Sequence, residues 1–344
     1  MRIEIIGDIH LKYELSYASA IKDGRRSEWE GVKRVIYNTS KNCDAIVLLG
    51  DCFNTKHNHS SVVREFVEIL QNLGEKEVHI LVGNHSRYGV STALDFLKEI
   101  KHNNWHVYTE PTLTTIAGQE AMMIPFMTPA LLGVETKEEG SKKIVDMFPK
   151  NAIPLAFMHH AISGSSFCGF PVELMNEIVL PKKDIEQHFS HTFAGHIHSK
   201  QNIFPNIYVT GSIFTNEMGE HSKSIWVYES DGTIDVKVEE IPLPTRGIYK
   251  IIWEKRNIMT EEIPPNSIVK CYVTDRATNI EDVKKGLEVF DASIIIEQYQ
   301  SERQKVHFES GVLDLSVDSL LKLYAEAKKV SYEDLKSGFE LIKT

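Results

Sequence analysis

The chain has 344 residues, a hydrophobic content of 42% and a formal net charge of −10 at pH 7. This composition is typical of a globular protein with one large and one smaller domain. The acidic balance excludes a broadly basic coat for nucleic acids, while a local basic groove stays compatible with it. No run approaches the ~18 apolar residues of a membrane span, and Glu4 and Asp8 interrupt the first apolar stretch. We therefore expect a cytoplasmic protein that does not bind membranes.

The four cysteines are consistent with the same compartment. They lie far apart in the sequence and form no Cys-x-x-Cys pair, which predicts free thiols in a reducing environment. They are Cys43, Cys52, Cys168 and Cys271.

Up to about residue 240, short apolar runs alternate with amphipathic stretches. The runs "RIEIIGD", "DAIVLLGD", "EVHILVGN", "IPLAFMHH" and "HTFAGH" are strand-like and end in polar residues. Helices are predicted over 27–41 and 60–74, where apolar residues recur on one helical face and Gly74 follows as a cap. This alternation of strand and helix predicts an α/β fold with sheets covered by helices.

From residue 203 the pattern changes to closely spaced strands. Asp231-Gly232 lies between two of them and predicts a hairpin. The segment "IPLPTRG" (241–247) contains two prolines and a glycine, which predicts a linker.

A smaller α/β unit and a helical tail are expected beyond this linker. The unit is predicted to contain strands over 248–253, 268–274 and 293–299 and a helix over 280–289. From Ser316 the tail predicts two amphipathic helices. The resulting division is a large domain over 1–242, a cap domain over 247–310 and a helical tail over 313–344.

Polar side chains follow five of the predicted strands. The segments "GDIH", "LLGD", "GNH", "MHH" and "GHIH" place carboxylates, an amide and imidazoles there. In α/β sheets, ligands gather outside the carboxyl ends of the strands, so these side chains are expected to converge. One histidine at a strand end is more often a structural residue. Five such segments in this order predict a common site.

The mixture of side chains indicates a site for two metal ions. Imidazole suits Mn, Fe or Zn, and carboxylates and an amide oxygen add hard ligands. In such sites one carboxylate bridges two ions ~3.5–4 Å apart, and an activated water attacks phosphorus in line. Glycines at 7, 50, 83 and 195 let the backbone turn at the strand ends and leave room for a ligand.

These residues, in this order, resemble the signature of the calcineurin-like metallophosphoesterases, whose fold is a β-sandwich flanked by helices. Within this superfamily the chain is similar to the SbcD-type nuclease subunit of the double-strand-break repair complex, in its compact phage and prokaryotic forms. "GDCF" fits the Gly-Asp-x-Phe of that branch, whereas protein phosphatases carry Gly-Asp-x-x-Asp-Arg-Gly. "VTGSIFTNEMGEHSKSIWVYE" is similar to the segment that closes the family's nuclease domain, and a cap domain and helical tail then follow.

The resemblance implies that seven residues are metal ligands, in two sets joined by a bridge. The first set is Asp8, His10 and His198, the second is Asn84, His159 and His196, and the bridge is Asp51. Two Mn²⁺ ions are the implied cofactors, with Mg²⁺ or another divalent ion as an alternative. His85 would contact the scissile phosphate and help the leaving oxygen depart. His159 is preferred to His160 because the family's ligand directly follows the strand.

Two positions depart from the family pattern. Ser86 replaces the aspartate of Gly-Asn-His-Asp, and Asn54 stands where cellular members often have a histidine. His57 and His59 lie close by and either compensate or are solvated loop residues. Neither departure touches an implied ligand, so both concern the rate rather than metal binding.

Two further features have alternative interpretations. The segment "KDGRR" (22–26), with Lys56, Arg64 and Arg87, either supplies phosphate contacts or belongs to a solvated charged loop. The two predicted helices either pack wholly on the sheet or, as the resemblance implies, pair two subunits. We expect a homodimer.

The resemblance therefore implies an enzyme, a Mn-dependent DNA nuclease with exonuclease and endonuclease action on double- and single-stranded DNA. Its implied partners are DNA and an SbcC-type coiled-coil ATPase, in DNA end processing for repair, recombination or phage replication. A phage protein would act in the host cytoplasm. Two alternatives stay open: a metallophosphatase for phosphomonoesters, and a weakly active scaffold that tethers DNA to the ATPase. The intact ligand set argues against the scaffold.

Overall fold

The computed structural model describes most of the chain. The described residues are 1–12, 24–100, 102–167, 169–215, 220, 222–232, 236–253, 263, 265, 267–273, 278–290, 292–298, 322, 325, 331–333 and 336. The two helices predicted for the tail over 313–344 lie outside these residues, apart from isolated positions. The segment 13–23 and Cys168 also lie outside them.

The main elements alternate along the chain much as predicted. The strands are β1 (Arg2–Ile6), β2 (Ala45–Leu48), β3 (Glu77–Leu81), β4 (Trp105–Tyr108), β5 (Thr112–Ile116), β6 (Gln119–Ile124), β7 (Ile153–Met158), β8 (Phe189–Ala194), β9 (Gln201–Phe204), β10 (Ile207–Val209), β11 (Ser224–Ser230), β12 (Val236–Pro242), β13 (Ile248–Trp253), β14 (Ser267–Val273) and β15 (Ala292–Gln298). The helices are α1 (Gly24–Ser40), α2 (Ser60–Asn72), α3 (Phe96–Ile100), α4 (Pro129–Leu132), α5 (Lys137–Val145), α6 (Lys182–His188) and α7 (Ile280–Leu287).

Short elements complete the description. Two-residue strands pair as Arg87–Tyr88 with Ser91–Thr92, Ala161–Ile162 with Val179–Leu180, and Ser166–Phe167 with Phe170–Pro171. Single 3₁₀ turns cover Asn84–Ser86 and Val172–Leu174.

Two mixed sheets form the body of the protein. The first has the order β12-β11-β1-β2-β3-β4, and the second has the order β9-β10-β8-β7-β6-β5. Strands β1 to β4 are parallel to one another, and so are β6, β7, β8 and β10. The carboxyl ends of the central strands of each sheet therefore lie at one edge, where ligands gather in α/β proteins.

Apolar side chains divide this body into layers. Ile3, Val47 and Phe157 belong to a buried cluster between the two sheets. On the outer face of the first sheet, a second cluster includes residues of α1 and α2, and the second sheet has its own outer cluster with residues of α4 to α6. The predicted sandwich flanked by helices is confirmed.

The helix α2 shows how the sequence produces this packing. Val62, Phe66, Ile69 and Leu70 recur at helical spacing and are all buried. Outside this face, Glu65 accepts a hydrogen bond from Trp29 Nε1 of α1 at 2.5 Å. No large apolar side chain is exposed among the described side chains of α1 and α2. Packing within one chain therefore accounts for the apolar face of both helices.

The predicted hairpin is present, and the linker begins later than expected. Strands β11 and β12 pair antiparallel around Gly232, which has a φ of 87°. Residues 241–242 of the predicted linker belong to β12, so the prediction was wrong there. The following residues pack on α1: Arg246 donates its backbone N–H to Glu28 at 2.8 Å, and Leu243 is buried.

A third, parallel sheet forms the smaller unit beyond this segment. Its order is β13-β14-β15, and Val283 and Leu287 of α7 pack against it in a separate apolar cluster. The predicted strands and helix lie within one or two residues of the observed ones. In the described part of the chain, no helix is both long and apolar enough to cross a membrane.

Candidate metal centre

The polar strand-end residues of both sheets converge at one edge of the sandwich. Asp8 and His10 follow β1, Asp51 follows β2 and Asn84 follows β3 in the first sheet. His159 follows β7, and His196 and His198 follow β8, in the second sheet. All seven implied ligands therefore lie at carboxyl strand ends, as the sequence predicted.

The first ligand set forms a compact group. One donor atom from each of Asp8, His10 and His198 lies within 4.8 Å of the others. The Nε2 atoms of His10 and His198 are 2.9 Å apart, and each lies 3.9 Å from Asp8 Oδ2. Two nitrogens that both face a carboxylate at this separation fit adjacent ligands of one ion.

The second ligand set is organised around an amide oxygen. Asn84 Oδ1 lies 3.1 Å from His159 Nε2 and 3.1 Å from His196 Nδ1. Ligand atoms about 2.0–2.2 Å from one metal ion and at right angles to each other are about 3 Å apart, so these three atoms fit one ion. On its far side His159 Nδ1 donates to Leu49 O at 2.7 Å, which leaves Nε2 facing the centre.

The Asp51 carboxylate lies between the two sets. It groups with Asp8 and His159 on one side and with His10 and His85 on the other. Its Oδ2 is 3.3 Å from His159 Nε2, and its Oδ1 accepts the backbone N–H of His85 at 2.9 Å. This position suits a carboxylate that bridges two ions.

Two buried carboxylates give the centre a strong preference for cations. Asp8 is 0% exposed and Asp51 is 1% exposed, and charge inside a protein requires a partner. Burial alone would raise the pKa of Asp51, but attraction to His159 holds it below its usual range. Burial opposes the charged form of His159, yet Asp51 and Asp8 raise its pKa to about 9. Protonated His159 therefore supplies a positive charge beside the two carboxylates in the metal-free protein. This proton must leave before His159 can bind a metal ion.

For His10, burial outweighs the attraction of the nearby carboxylates. Desolvation lowers the pKa of His10 to about 4, although Asp51 and Asp8 act to raise it. His10 is therefore neutral at physiological pH, which is the form that binds metal ions. The donor set, with imidazoles, carboxylates and an amide oxygen, suits divalent transition ions.

Close backbone approach makes glycine necessary at the strand ends. A Cβ at Gly83 would lie 2.1 Å from Asp51 Oδ1, and one at Gly50 would lie 2.2 Å from His159 Nδ1. Asp51 and His196 have φ angles of 39° and 81°, in the left-handed region that side chains rarely adopt. Such strain clusters at functional sites, where the surrounding structure maintains it.

His85 lies beside the ligands and is held by the chain after β2. Its ring is 4.9 Å from that of His10, and its Nδ1 donates to the backbone carbonyl of Asn54 at 2.9 Å. The two histidines considered as compensating residues make other contacts. His57 stacks on Tyr88 at 6.0 Å, and His59 caps α2 by accepting from Ser61 N.

The other sequence candidates lie behind the centre or away from it. His160 is buried, stacks on Phe126 and accepts the backbone N–H of Met127 at 3.0 Å. Burial lowers its pKa to about 3. Arg87, considered as a phosphate contact, is buried and donates to Thr109 O at 2.5 Å, so that interpretation was wrong.

Sequence reasoning missed two glutamates that lie behind the Gly-His-Ile-His histidines. Glu177 Oε1 is 2.8 Å from His196 Nε2, and Glu220 Oε1 is 3.4 Å from His198 Nδ1. Glu220 belongs to the segment that resembles the family's closing motif, which was a usable signal. Glu177 follows the 3₁₀ turn at 172–174, where the sequence has no periodic pattern that would single it out.

Fold and site together define a class of protein: an α/β sandwich hydrolase with a candidate dinuclear metal centre at its strand ends. The family profile of the calcineurin-like phosphoesterases matches residues 1–200, which is more than half of the chain. The chain belongs to this family. It follows that the protein is a metal-dependent phosphoesterase, whose family binds two divalent ions at a site of this kind.

Comparison with individual solved structures also finds proteins of similar fold. The chain is similar to a Staphylococcus aureus protein provisionally named a 5′-nucleotidase, crystallised in complex with alpha-ketoglutarate. The two share 13% sequence identity and a TM-score of 0.45, with 70% of this chain and 54% of that one covered. The chain thus spans about half the length of that protein. Among curated protein sequences, the comparison returns no match.

Proposed function

We propose that the chain is a Mn²⁺-dependent DNA nuclease that hydrolyses phosphodiester bonds as an exonuclease and an endonuclease. The observation that supports this best is the turn after Asp51. In the phosphatase sequence Gly-Asp-x-x-Asp-Arg-Gly, an aspartate and an arginine would occupy positions 54 and 55. Here these positions are Asn54 and Thr55, and the Asn54 backbone holds His85.

The core fixes the course of this turn. Phe53 is fully buried and packs on Phe66 and Phe96, with ring centroids 5.0 and 6.4 Å away. Phe53 also forms a parallel bridge with Leu11 after β1. The phenylalanine of Gly-Asp-x-Phe therefore anchors the loop, so that Asn54 O is presented to His85 as a fixed acceptor.

This contact determines which nitrogen of His85 can act on a substrate. A carbonyl oxygen only accepts hydrogen bonds, so Nδ1 carries a hydrogen and Nε2 faces the substrate. In the doubly protonated ring, Nε2 is the nitrogen that can pass its proton to a leaving oxygen. The leaving group of a DNA phosphodiester is a sugar alkoxide, whose departure is strongly assisted by a proton. Two divalent ions, when bound, supply charge neutralisation and an activated water for in-line attack.

The burial pattern supports approach of a phosphate from the histidine side. Asp8, Asp51 and His159 are buried, whereas His85 is half-buried and the His198 side chain is 15% exposed. A substrate phosphate that reaches the centre would meet imidazoles first, with the carboxylates behind the ions. Like charges of carboxylate and phosphate are thereby kept apart.

The implied partners belong to the same proposal. DNA is the substrate, and an SbcC-type coiled-coil ATPase would bind the tail over 313–344. A homodimer would have to pair α1 and α2 through polar outer faces, because their apolar residues are used within the chain. Light scattering on the purified protein checks the expected dimer, and a monomer at micromolar concentration would contradict it.

Purified protein with Mn²⁺, assayed on end-labelled duplex and single-stranded DNA with and without the ATPase, tests the function. A phosphodiester and a phosphomonoester of p-nitrophenol are assayed in parallel. We expect cleavage of DNA and the diester, loss of both with EDTA, and slow turnover of the monoester. Preference for the monoester would indicate a phosphatase instead. Binding of DNA without any hydrolysis by the metal-loaded protein would indicate a scaffold.

A further inference from the structure

We propose that Glu177 is a positioning residue for His196 and sets the affinity of one of the two ions independently of the other. The inference rests on the dinuclear centre of the proposed function, but it does not depend on the substrate being DNA. Glu177 has the same relation to His196 that an outer carboxylate has to a metal-binding histidine in many metalloenzymes.

The hydrogen bond fixes the tautomer of His196. Glu177 Oε1 lies 2.8 Å from Nε2, and an ionised carboxylate only accepts, so Nε2 must carry the hydrogen. The lone pair of the neutral ring is then on Nδ1, which lies 3.1 Å from Asn84 Oδ1 on the metal side. Without Glu177, the ring could place its hydrogen on Nδ1 and donate to Asn84, which would block both ligand atoms.

The backbone of His196 has an unusual conformation and is held by Asp8, so its ring needs a separate contact to orient it. Its φ of 81° is in the left-handed region, which residues with a Cβ rarely adopt. Its backbone N–H donates to both oxygens of Asp8, at 3.1 and 3.0 Å. The main chain is thereby tied to the first ligand set, while the ring serves the second set. Glu177 is the contact that orients this ring from its outer side.

The outer partner of His198 is also a glutamate, Glu220, but a lysine partly neutralises its charge. Glu220 approaches its Nδ1 at 3.4 Å, but the other Glu220 oxygen accepts from Lys223 Nζ at 2.7 Å. Lys223 also donates to Ser212 Oγ and to the backbone carbonyl of His198. The Glu220 charge is therefore shared with an ammonium group. We expect the two ions to depend on their outer carboxylates separately, with Glu177 affecting only the ion at Asn84, His159 and His196.

A nearby glutamate provides a matched control. Glu177 lines a cavity of about 460 Å³ together with Glu138, which is exposed. Glu138→Gln removes one negative charge from the same cavity without touching His196. Glu177→Gln makes the same charge change with nearly the same side-chain volume. Glu177→Ala removes the acceptor altogether.

The test measures Mn²⁺ binding to metal-free protein by calorimetry and by electron paramagnetic resonance, without substrate. Loss of an outer carboxylate typically weakens binding about 10–100-fold. We expect that loss for one of two ions in Glu177→Ala, a smaller loss in Glu177→Gln, and wild-type binding in Glu138→Gln. At two equivalents of Mn²⁺, Glu177→Ala should show the signal of isolated ions where the wild type shows coupled pairs.

A second measurement uses the metal-free protein alone. Long-range ¹⁵N–¹H correlation of the imidazoles should show His196 protonated on Nε2 in the wild type and a tautomer mixture in Glu177→Ala. The proposal would be overturned if Glu177→Ala bound both ions as tightly as the wild type. It would also be overturned if Glu138→Gln weakened Mn²⁺ binding as much as Glu177→Ala does. If the wild type itself binds fewer than two Mn²⁺, the dinuclear centre of the proposed function fails instead.

Discussion

The imidazole of His85 and the main-chain carbonyl of Asn54 are joined by a hydrogen bond of 2.9 Å between residues 31 positions apart. The bond connects the loop after β2 to the turn after β3, and the backbone N–H of His85 also donates to Asp51 Oδ1. Because the acceptor belongs to the backbone, the orientation of His85 does not depend on the side chain at position 54. A departure from the family pattern at this position is therefore compatible with an ordered His85.

The first prediction separates the role of the His85 ring from that of the Asn54 side chain. His85→Ala should lower the rate of the chemical step by ~10²–10⁴-fold, because a general acid is removed. Mn²⁺ binding should be retained, since His85 is outside both ligand sets. Asn54→Ala keeps the carbonyl and should change the single-turnover rate less than 3-fold, within about 0.6 kcal/mol of activation free energy. A large loss in Asn54→Ala would show that the amide side chain, and not the backbone, is needed.

The second prediction concerns the carboxylate between the two ligand sets. Asp51→Asn removes one negative charge shared by both sets, while asparagine tolerates the φ of 39° at this position. Mn²⁺-dependent cleavage should be abolished, and the rise in melting temperature caused by Mn²⁺ should largely disappear. Circular dichroism should show an unchanged fold. Near-normal cleavage by this variant would contradict the bridging role.

The third prediction concerns Ser86, which stands where the family pattern has an aspartate. Ser86 is 0% exposed, and its hydroxyl has no hydrogen-bond partner among the described residues. An aspartate here would be a buried, unpaired carboxylate, so Ser86→Asp should lower the free energy of unfolding, on the order of 3 kcal/mol. Ser86→Ala should leave the cleavage rate unchanged and stabilise the fold by up to about 1 kcal/mol. Urea denaturation measures the stabilities and single-turnover cleavage measures the rates. A Ser86→Asp protein that is stable and cleaves faster than the wild type would show that position 86 assists His85.

The strand ends were predictable because one physical pattern encodes them. Four of the five buried runs end in glycine followed by a ligand-type residue, as in Gly50-Asp51 and Gly195-His196, and the fifth leads directly from Met158 to His159. The pattern of apolar residues along the sequence identifies each strand. Parallel strands then bring their carboxyl ends to one edge of the sheet. The fold and the ligand cluster follow from that reasoning.

The contacts around the cluster could not be predicted in the same way. The Asn54–His85 bond depends on loop conformations, including the left-handed Asp51, that have no periodic signature. Glu177 reaches His196 from an irregular segment. Arg87 was wrongly interpreted because a charge in the sequence does not show whether its side chain is buried.

The fourth prediction concerns the tail, where the sequence alone is informative. Val317, Leu320 and Leu321 recur at helical spacing in the sequence, which predicts an apolar stripe of the kind that commonly binds a partner. Deletion of 313–344 should abolish pull-down of the ATPase and leave Mn²⁺-dependent cleavage of short DNA intact. Retention of the ATPase by the truncated protein would place its binding site elsewhere.

The fifth prediction concerns His79, a buried histidine within β3 that belongs to neither ligand set. It is 2% exposed, lies 2.8 Å from the Tyr108 hydroxyl through Nδ1 and stacks on His106. Burial, followed by repulsion from His106, lowers its pKa to about 4 from an unfolded value of 6.5, although Glu77 acts to raise it. The folded protein therefore favours the neutral ring.

This shift has a defined sign in the stability of the metal-free protein. Between pH 6.5 and about 4 the unfolded chain binds the His79 proton and the folded chain does not, so the free energy of unfolding falls as pH falls. Lowering the pH from 7.5 to 4.5 should remove on the order of 2 kcal/mol through this residue. His79→Gln keeps an acceptor for Tyr108 but cannot titrate, so its stability should fall less over the same range. Urea denaturation in EDTA at both pH values measures the difference, and identical pH dependence of the two proteins would show that His79 is protonated equally in the folded and unfolded states.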